Sequence, residues 1–293
     1  MDYIYDVSFI TINYNGIKDT CELIDSVNKV VHSVTYEIII TDNASGNYEG
    51  KELQKRYPDV NVILSDKNLG FAGGNNIALQ KAKGRYIFFI NNDTYIEEDN
   101  IKTLIDRLES QEKIGMVCPK IRFAWDDRPI QFAGFTPLSK ITLRNKCIGT
   151  GEADNGQYDK AHMTPFAHGA SMMIKHELIS VVKPMWEGYF LYYEEMDWSE
   201  CINRSGYEIW YEPACTIFHK ESRSVGIGSP NKTYYLTRNR LLFAKRNRTG
   251  ITKYLSYLYQ TAVVLTLHCP RFILTGKFNH AKSILKGVKD FYF

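Results

Sequence analysis

Apolar positions in the first ninety or so residues fall into short runs separated by longer stretches with helical spacing. Asp6 to Ile12, Tyr36 to Asp42, Val60 to Ser65 and Tyr86 to Ile90 read as strands, while Lys18 to Val31, Tyr48 to Tyr57 and Asn75 to Ala82 read as helices, the last entered through a glycine-rich turn. Strand and helix in alternation predict a mainly parallel α/β sheet flanked by helices, since a crossover helix returns the chain to the same end of the sheet. Burial on both faces removes the need for polar alternate positions, and Tyr86-Ile87-Phe88-Phe89-Ile90 meets that condition. Later, Ala170 to Ile174 is another apolar run, Asp197 to Arg204 a helix stopped by Gly206, and Glu208 to Tyr211 a strand whose run reaches His219. From Arg122 to Asp159 periodicity is lost, and Trp125, Asp127, Gly149, Gly151 and Gly156 suggest long loops over the acceptor side of a site.

Ligands of open parallel sheets sit beyond the carboxyl ends of the strands, so the residues after each run carry the chemistry. These are Asn13-Tyr14-Asn15-Gly16, Asp42-Asn43-Ala44-Ser45-Gly46, the segment Asn68 to Asn76, and Asn91-Asn92-Asp93. Any one of them is ordinary turn chemistry; four in succession on one edge point to a ligand. Asp93 could share a divalent cation with a diphosphate, or cap the element near Thr94. Glu194, Glu195 and Asp197 lie close enough to raise one carboxyl's pKa and make a general base, or they form a solvated helix start. His219 is a candidate metal ligand or a satisfied structural histidine. The turn Gly70-Phe71-Ala72-Gly73-Gly74 admits close backbone approach but matches neither the dinucleotide fingerprint nor a P-loop.

Taken in order, these motifs resemble glycosyltransferase family 2, over about residues 6 to 220. The resemblance implies a GT-A fold and an inverting enzyme that uses a nucleotide-diphosphate sugar, and the runs look most like the rhamnosyltransferase-like branch that builds cell-surface polysaccharide. It places Thr11, Tyr14 and Asn15 at the nucleobase and ribose, and Asp42 at the pyrimidine edge. Asn68, Gly70, Gly73, Gly74 and Asn76 then lie along the ribose and pyrophosphate. Asn91-Asn92-Asp93 corresponds to the family's Asp-x-Asp, with Asn91 in place of its first acid, so that Asp93 carries most of the charge at a Mg2+ or Mn2+ ion that His219 completes. Glu194-Glu195-Met196-Asp197 corresponds to Glu-Asp-x-Asp, making Glu195 the base, with Glu194, Asp197 and Trp186 supporting it or the acceptor. Two further departures are Glu195 for the commoner Asp, and Cys201 where many members carry Arg. The implied donor is a UDP- or dTDP-sugar, dTDP-rhamnose among them, and the implied acceptor a saccharide or lipid-linked saccharide.

Composition adds a second theme. With 44% hydrophobic and 24% charged residues among 293, the chain reads as folded and globular, and disordered or collagen-like classes drop out. The N-terminal Asp2 and Asp6 contradict an export signal, and six scattered cysteines without metal spacing suit buried thiols in a cytoplasmic protein. Residues 219 to 293 hold 14 Lys/Arg against 2 Asp/Glu, a balance of +12 that leaves −9 for residues 1 to 218. A boundary near 225 therefore divides a catalytic domain, 1–225, from a basic, mainly helical region, 226–293. Between Lys253 and Arg271 lie 17 uncharged residues, too polar and short to span a bilayer. Flanking Arg246, Arg248, Lys253, Arg271, Lys277, Lys282, Lys286 and Lys289, with interleaved aromatics, suit either helices lying on an anionic membrane surface or a helical cap with its lysines in water. The expected partners include a homo-oligomer. Two alternatives stand beside the transferase: a nucleotide-binding relative without activity, and a nucleic-acid-binding module using the basic region, against which the ordered site motifs argue.

Overall fold

The structure, a computed structural model, describes residues 3–221 and 229–293, so the expected boundary near 225 lies outside the described residues. The chain begins β1 (Tyr5–Asn13), α1 (Ile17–Val30), β2 (Tyr36–Asp42), α2 (Glu49–Arg56), β3 (Asn61–Leu64), α3 (Gly70–Leu79), β4 (Gly84–Ile90), β5 (Thr94–Tyr95) and α4 (Ile101–Ser110). It continues β6 (Ile114–Phe123), β7 (Ile130–Phe132), β8 (His162–Met163), β9 (Ser171–Lys175), α5 (Ile179–Val182), α6 (Glu194–Arg204) and β10 (Glu208–His219). Four α-helices follow: α7 (Pro230–Asn247), α8 (Gly250–Val263), α9 (Cys269–Leu274) and α10 (Phe278–Tyr292).

The strands form one sheet in the order β3-β2-β1-β4-β9-β6-β10-β5, with β7 beside β6 and β8 beside β10. β1, β2, β3 and β4 pair parallel, as the alternation predicts. The sheet becomes mixed where β9 enters antiparallel between β4 and β6, reached by a long connection instead of a single crossover helix. Because β6 and β10 run with β1, the carboxyl ends Asn13, Asp42, Ile90, Phe123 and His219 share one edge with Ser171, the first residue of β9.

Alternation along the strands fills a layer on each face. Ile87 and Phe89 of β4 enter one apolar cluster with Ile10, Met172 and Trp198, while Tyr86, Phe88 and Ile90 enter the other with Phe9, Ile24 and Leu104. Two helices begin earlier than their spacing predicts. α3 starts at Gly70 instead of Asn75, because the glycines form its first turns and pack closely on β1: a Cβ on Gly74 would lie 2.8 Å from Ile12 Cδ1 and would have to displace that side chain. α6 starts at Glu194, which puts the whole acidic cluster inside its first turn; Glu194 and Asp197 are buried, and the solvated helix start is thereby corrected. The irregular stretch 122–159 holds β7 and a bridge between Phe135 and Cys147. Among the described residues all six cysteines are free thiols, four of them buried, and no helix is long and apolar enough to cross a membrane.

Candidate active site

At the β1 and β2 ends, Asn13 organises the edge. Its Nδ2 lies 2.9 Å from Asp42 Oδ1, 3.0 Å from Ser45 Oγ and 2.9 Å from Glu49 Oε2, while its Oδ1 accepts from Thr20 at 2.8 Å. Thr11 is buried within β1, its hydroxyl without a partner among the described residues, whereas Tyr14 and Asn15 are exposed just beyond the strand. Asn15 Oδ1 accepts from the backbone of Gly46, closing the β1 turn onto the β2 turn.

Asn43 ties this edge to α3, accepting from Leu69 N–H at 2.8 Å and donating to Asn68 Oδ1 and the Gly70 carbonyl, each at 3.1 Å. Asn68 Oδ1 also accepts from Gly70 N–H at 2.9 Å. Gly70 has φ of +72°, and a Cβ there would lie 2.1 Å from the Phe190 carbonyl oxygen, so only glycine fits where α3 meets the segment leading into α6. Gly73 packs on Leu69, and Asn76 is buried, donating to the Met185 carbonyl and to Glu187 Oε1.

After β4, Asn91-Asn92-Asp93 forms a turn closed by Thr94, whose N–H and hydroxyl both donate to the Asn91 carbonyl. Antiparallel pairing of β5 with β10 sets Thr94 opposite His219 and brings Asp93 Oδ1 to 3.1 Å from His219 Nε2, both side chains buried. His219 Nδ1 lies 2.7 Å from Gln131 Oε1. An amide oxygen only accepts, so Nδ1 carries the hydrogen and Nε2 faces the carboxylate. This donor set fits a hard divalent cation: two ligands held at roughly 2.0–2.2 Å by one ion stand about 3 Å apart, and diphosphate oxygens and water would complete the shell. Among the described residues no group of three His, Cys, Asp or Glu side chains could hold a metal alone. Asn92 turns the other way, donating to Thr20 Oγ1 at 3.0 Å.

The turn 168–171 joins this pair to the acidic helix. Asn91 N–H donates to the Ala170 carbonyl at 2.9 Å, and a Cβ on Gly169 would lie 3.6 Å from the Glu195 carboxyl carbon. Burial pushes Glu195 up to about 7. Its neighbour Glu194 is pushed up to about 8, by burial first and by Glu195 second, and neither Glu194 oxygen has a hydrogen-bond partner among the described residues. His168, beside His219, is held down at about 3, chiefly by burial. A carboxylate titrating near neutrality can take a proton from a bound hydroxyl.

Asp197 and Trp186 gather elsewhere. Two residues along a helix point apart, and Asp197 accepts from Tyr189 OH at 3.1 Å, from Asn247 Nδ2 at 2.5 Å, and from Arg246 through Nε and Nη2 at 3.1 Å each. The Arg246 guanidinium also stacks 4.0 Å over the Trp186 ring. Cys201 Sγ accepts from Arg204 Nη2 at 3.2 Å, and the guanidinium at Asp197 comes from α7. Trp186, Glu187, Asp197, Cys201 and Arg246 line a cavity of about 600 Å³. Arg248 pairs with Glu200 at 3.0 Å, so two cations expected to flank a membrane segment bind α6 instead. Gln131, Asn239 and Arg246 escape sequence reasoning, because each is defined by a partner far along the chain.

A family model described as glycosyl transferase family 2 matches residues 8–179, more than half of the chain. The chain belongs to glycosyl transferase family 2. It is 25% identical over 244 residues to the low-salt glycan biosynthesis hexosyltransferase Agl10 of Haloferax volcanii, covering 81% of this chain and 75% of that protein. It is 29% identical over 99 residues to the poly(ribitol-phosphate) beta-N-acetylglucosaminyltransferase TarS of Staphylococcus aureus, covering 32% of this chain and 17% of that protein. The fold is of GT-A type. GalNAc-T7 with UDP, GalNAc and Mn2+ superposes with a TM-score of 0.64 at 14% identity, over 92% of this chain and 57% of that one. A mannosyltransferase from Pyrobaculum calidifontis in complex with GDP-Man and Mn2+ gives 0.59 at 14%, over 99% and 88%.

Proposed function

We propose that this family 2 member is an inverting glycosyltransferase that moves a sugar from a nucleotide diphosphate to a saccharide or lipid-linked saccharide hydroxyl, with help from Mg2+ or Mn2+. The observation that carries the reading is the buried Asp93–His219 pair, 3.1 Å apart, joined through the 168–171 turn to a carboxyl titrating near 7 at Glu195. Solved GT-A neighbours that hold UDP, UDP-GlcNAc or GDP-Man support the donor class, and two of those structures contain Mn2+. The names of Agl10 and TarS support a place in glycan or cell-wall polysaccharide assembly. A UDP- or dTDP-sugar, with dTDP-rhamnose among them, agrees with the motif order.

In the reaction, the acceptor oxygen forms a bond to the anomeric carbon as the bond from that carbon to the diphosphate oxygen breaks. Glu195 takes the acceptor proton, and the bonding pair leaves with the diphosphate. Attack opposite the leaving group inverts the anomeric centre, and no sugar–enzyme bond forms. Asp93 and His219 would hold the cation, which when bound would supply positive charge to the departing diphosphate. Gln131 fixes the imidazole, and the Asn13–Asp42–Asn43 network sets the floor on which the nucleoside lies. The test is thermal stabilisation by UDP, dTDP, GDP and CDP, each with and without Mn2+, in the wild type and in Asp93→Ala. A Mn2+-dependent shift for one nucleotide that disappears in the variant is expected; equal shifts in both proteins would defeat the metal assignment.

A further inference from the structure

Helix α8 is built inside out. Its inward face carries Ser256 and Gln260, both buried, and the Gln260 amide donates to the backbone carbonyls of Thr142 at 2.7 Å and Ile141 at 3.3 Å. Its outward face carries Ile251, Tyr254, Leu255 and Leu258, Leu258 being 67% exposed, and Leu265 is exposed in the π-helical turn that follows. The apolar surface continues onto Leu267, Ile273, Leu274 and Phe278, and Leu274 is 87% exposed. Single exposed leucines need no explanation, but a row of exposed apolar side chains at helical spacing along α8, opposite buried Ser256 and Gln260, marks an interaction face.

Charge identifies what covers it. From Gly250 onward the chain carries Lys253, Arg271, Lys277, Lys282, Lys286 and Lys289 against Asp290 alone. Arg271, Lys277, Lys282 and Lys289 are exposed. Two copies of this face would bring cations against cations, whereas an anionic lipid surface satisfies the apolar stripe and the charge together. A bilayer span is not the mode, since no described helix is long and apolar enough. We propose that the α8–α9 face lies in the headgroup region of an anionic phospholipid membrane, with the leucines entering the acyl boundary and the lysines reaching phosphates. The proposal does not depend on the transferase reading.

Flotation with vesicles of phosphatidylcholine alone, or mixed with phosphatidylglycerol, tests it on the full chain. The wild type should float with the mixed vesicles at low salt and bind pure phosphatidylcholine about tenfold less. A Leu258→Glu/Leu265→Glu variant, changed only at exposed positions, should keep its melting temperature and lose about tenfold or more of the binding. Lys277→Gln, Lys282→Gln and Lys289→Gln should each weaken binding by roughly fivefold and flatten its salt dependence. If the double variant misfolds, Leu274→Glu on α9 asks the same question. No flotation, or flotation unchanged in the leucine variants, overturns the proposal. So does a vesicle-free dimer that Leu258→Glu dissociates and that ignores lipid, because the face would then join two copies of the chain.

Discussion

The side-chain amide of Asn239, fully buried on α7, donates to the backbone carbonyl of Leu191 at 2.7 Å, and the same nitrogen reaches the carbonyls of Tyr189 and Tyr192 at 3.1 and 3.0 Å. The segment it gathers is strained: Phe190, Tyr192 and Tyr193 have φ of 70°, 69° and 81°, a region that costs non-glycine residues about 1–3 kcal/mol each. Arg238 adds a bond to the Tyr189 carbonyl at 2.6 Å, and Arg240 one to Tyr193 OH at 2.7 Å. Tyr193 leads directly into Glu194 and Glu195, so α7, in the basic region, braces the turn that leads into the proposed base.

Asn239→Ala should therefore act on the chemistry more than on donor binding. The lost amide takes the donor from the Leu191 and Tyr192 carbonyls and frees a strained turn, with an expected loss of about 2–4 kcal/mol in stability. We expect kcat to fall at least about tenfold while the Mn2+-dependent nucleotide shift is retained. Steady-state kinetics beside the nucleotide thermal shift separate the outcomes: equal damage to both would mean that Asn239 only holds the fold together.

Glu195 predicts a pH profile. A base raised to about 7 is protonated, and idle, below that value, so kcat should climb with pH through about 7 and then level off. Glu195→Gln should lower kcat by about 10²–10⁴-fold and abolish the climb, whereas Glu195→Asp should keep a measurable, shifted profile. A wild-type kcat that is flat from pH 5.5 to 8.5, values chosen as roughly bracketing that midpoint, would remove Glu195 from the role.

How much of this was legible in the chain follows from what each residue answers to. β2 spans Tyr36 to Asp42 as the apolar run predicts, because an unbroken run between polar turns is a local signal. Asp93 and His219 stand out for a similar reason, each being polar at the end of an apolar strand. The start of α3 is hidden by its glycines, whose poor helix propensity is overruled by packing on Ile12. Gln131 looks like any polar residue of an irregular stretch until β7 sets it beside His219. Arg246 reads as one cation in a basic tract because its partner Asp197 lies 49 residues earlier. Charge counting detects the tract but cannot say which of its members turn inward.

Glu194 makes a prediction about stability. Its folded pKa is raised from 4.5 to about 8, by burial and then by Glu195, so the folded protein holds this proton longer than the unfolded chain does. The associated stability is fully present below about 4.5 and is lost as pH rises through about 8. Each pKa unit corresponds to about 1.4 kcal/mol, so Glu194→Gln, which stays neutral, should match the wild type near pH 4.5 and exceed it by a few kcal/mol near pH 8.5. Denaturant unfolding at those two pH values checks the sign. A variant less stable than wild type at the higher pH would mean that the carboxylate has a partner in the folded protein that offsets its burial.

Gln131 offers the sharpest test of the metal pair, because it touches neither substrate nor cation in the proposed reaction. Its Oε1 accepts from His219 Nδ1 at 2.7 Å, which fixes the tautomer that turns Nε2 toward Asp93. Gln131→Leu keeps a similar volume but removes the acceptor, leaving the imidazole free to move its proton to Nε2 and present a donor where a ligand is needed. Loss of such an outer partner typically costs about 10–100-fold in metal affinity. In a Mn2+ titration of the nucleotide-dependent thermal shift, the midpoint should move upward by about that factor in Gln131→Leu, while saturating Mn2+ restores the full shift. Asp93→Ala and His219→Ala should not be rescued at any concentration, since they remove ligands and not the group that orients one. An unmoved midpoint in Gln131→Leu would show that His219 takes no part in holding the ion, and would leave Asp93 as the protein's anchor for it.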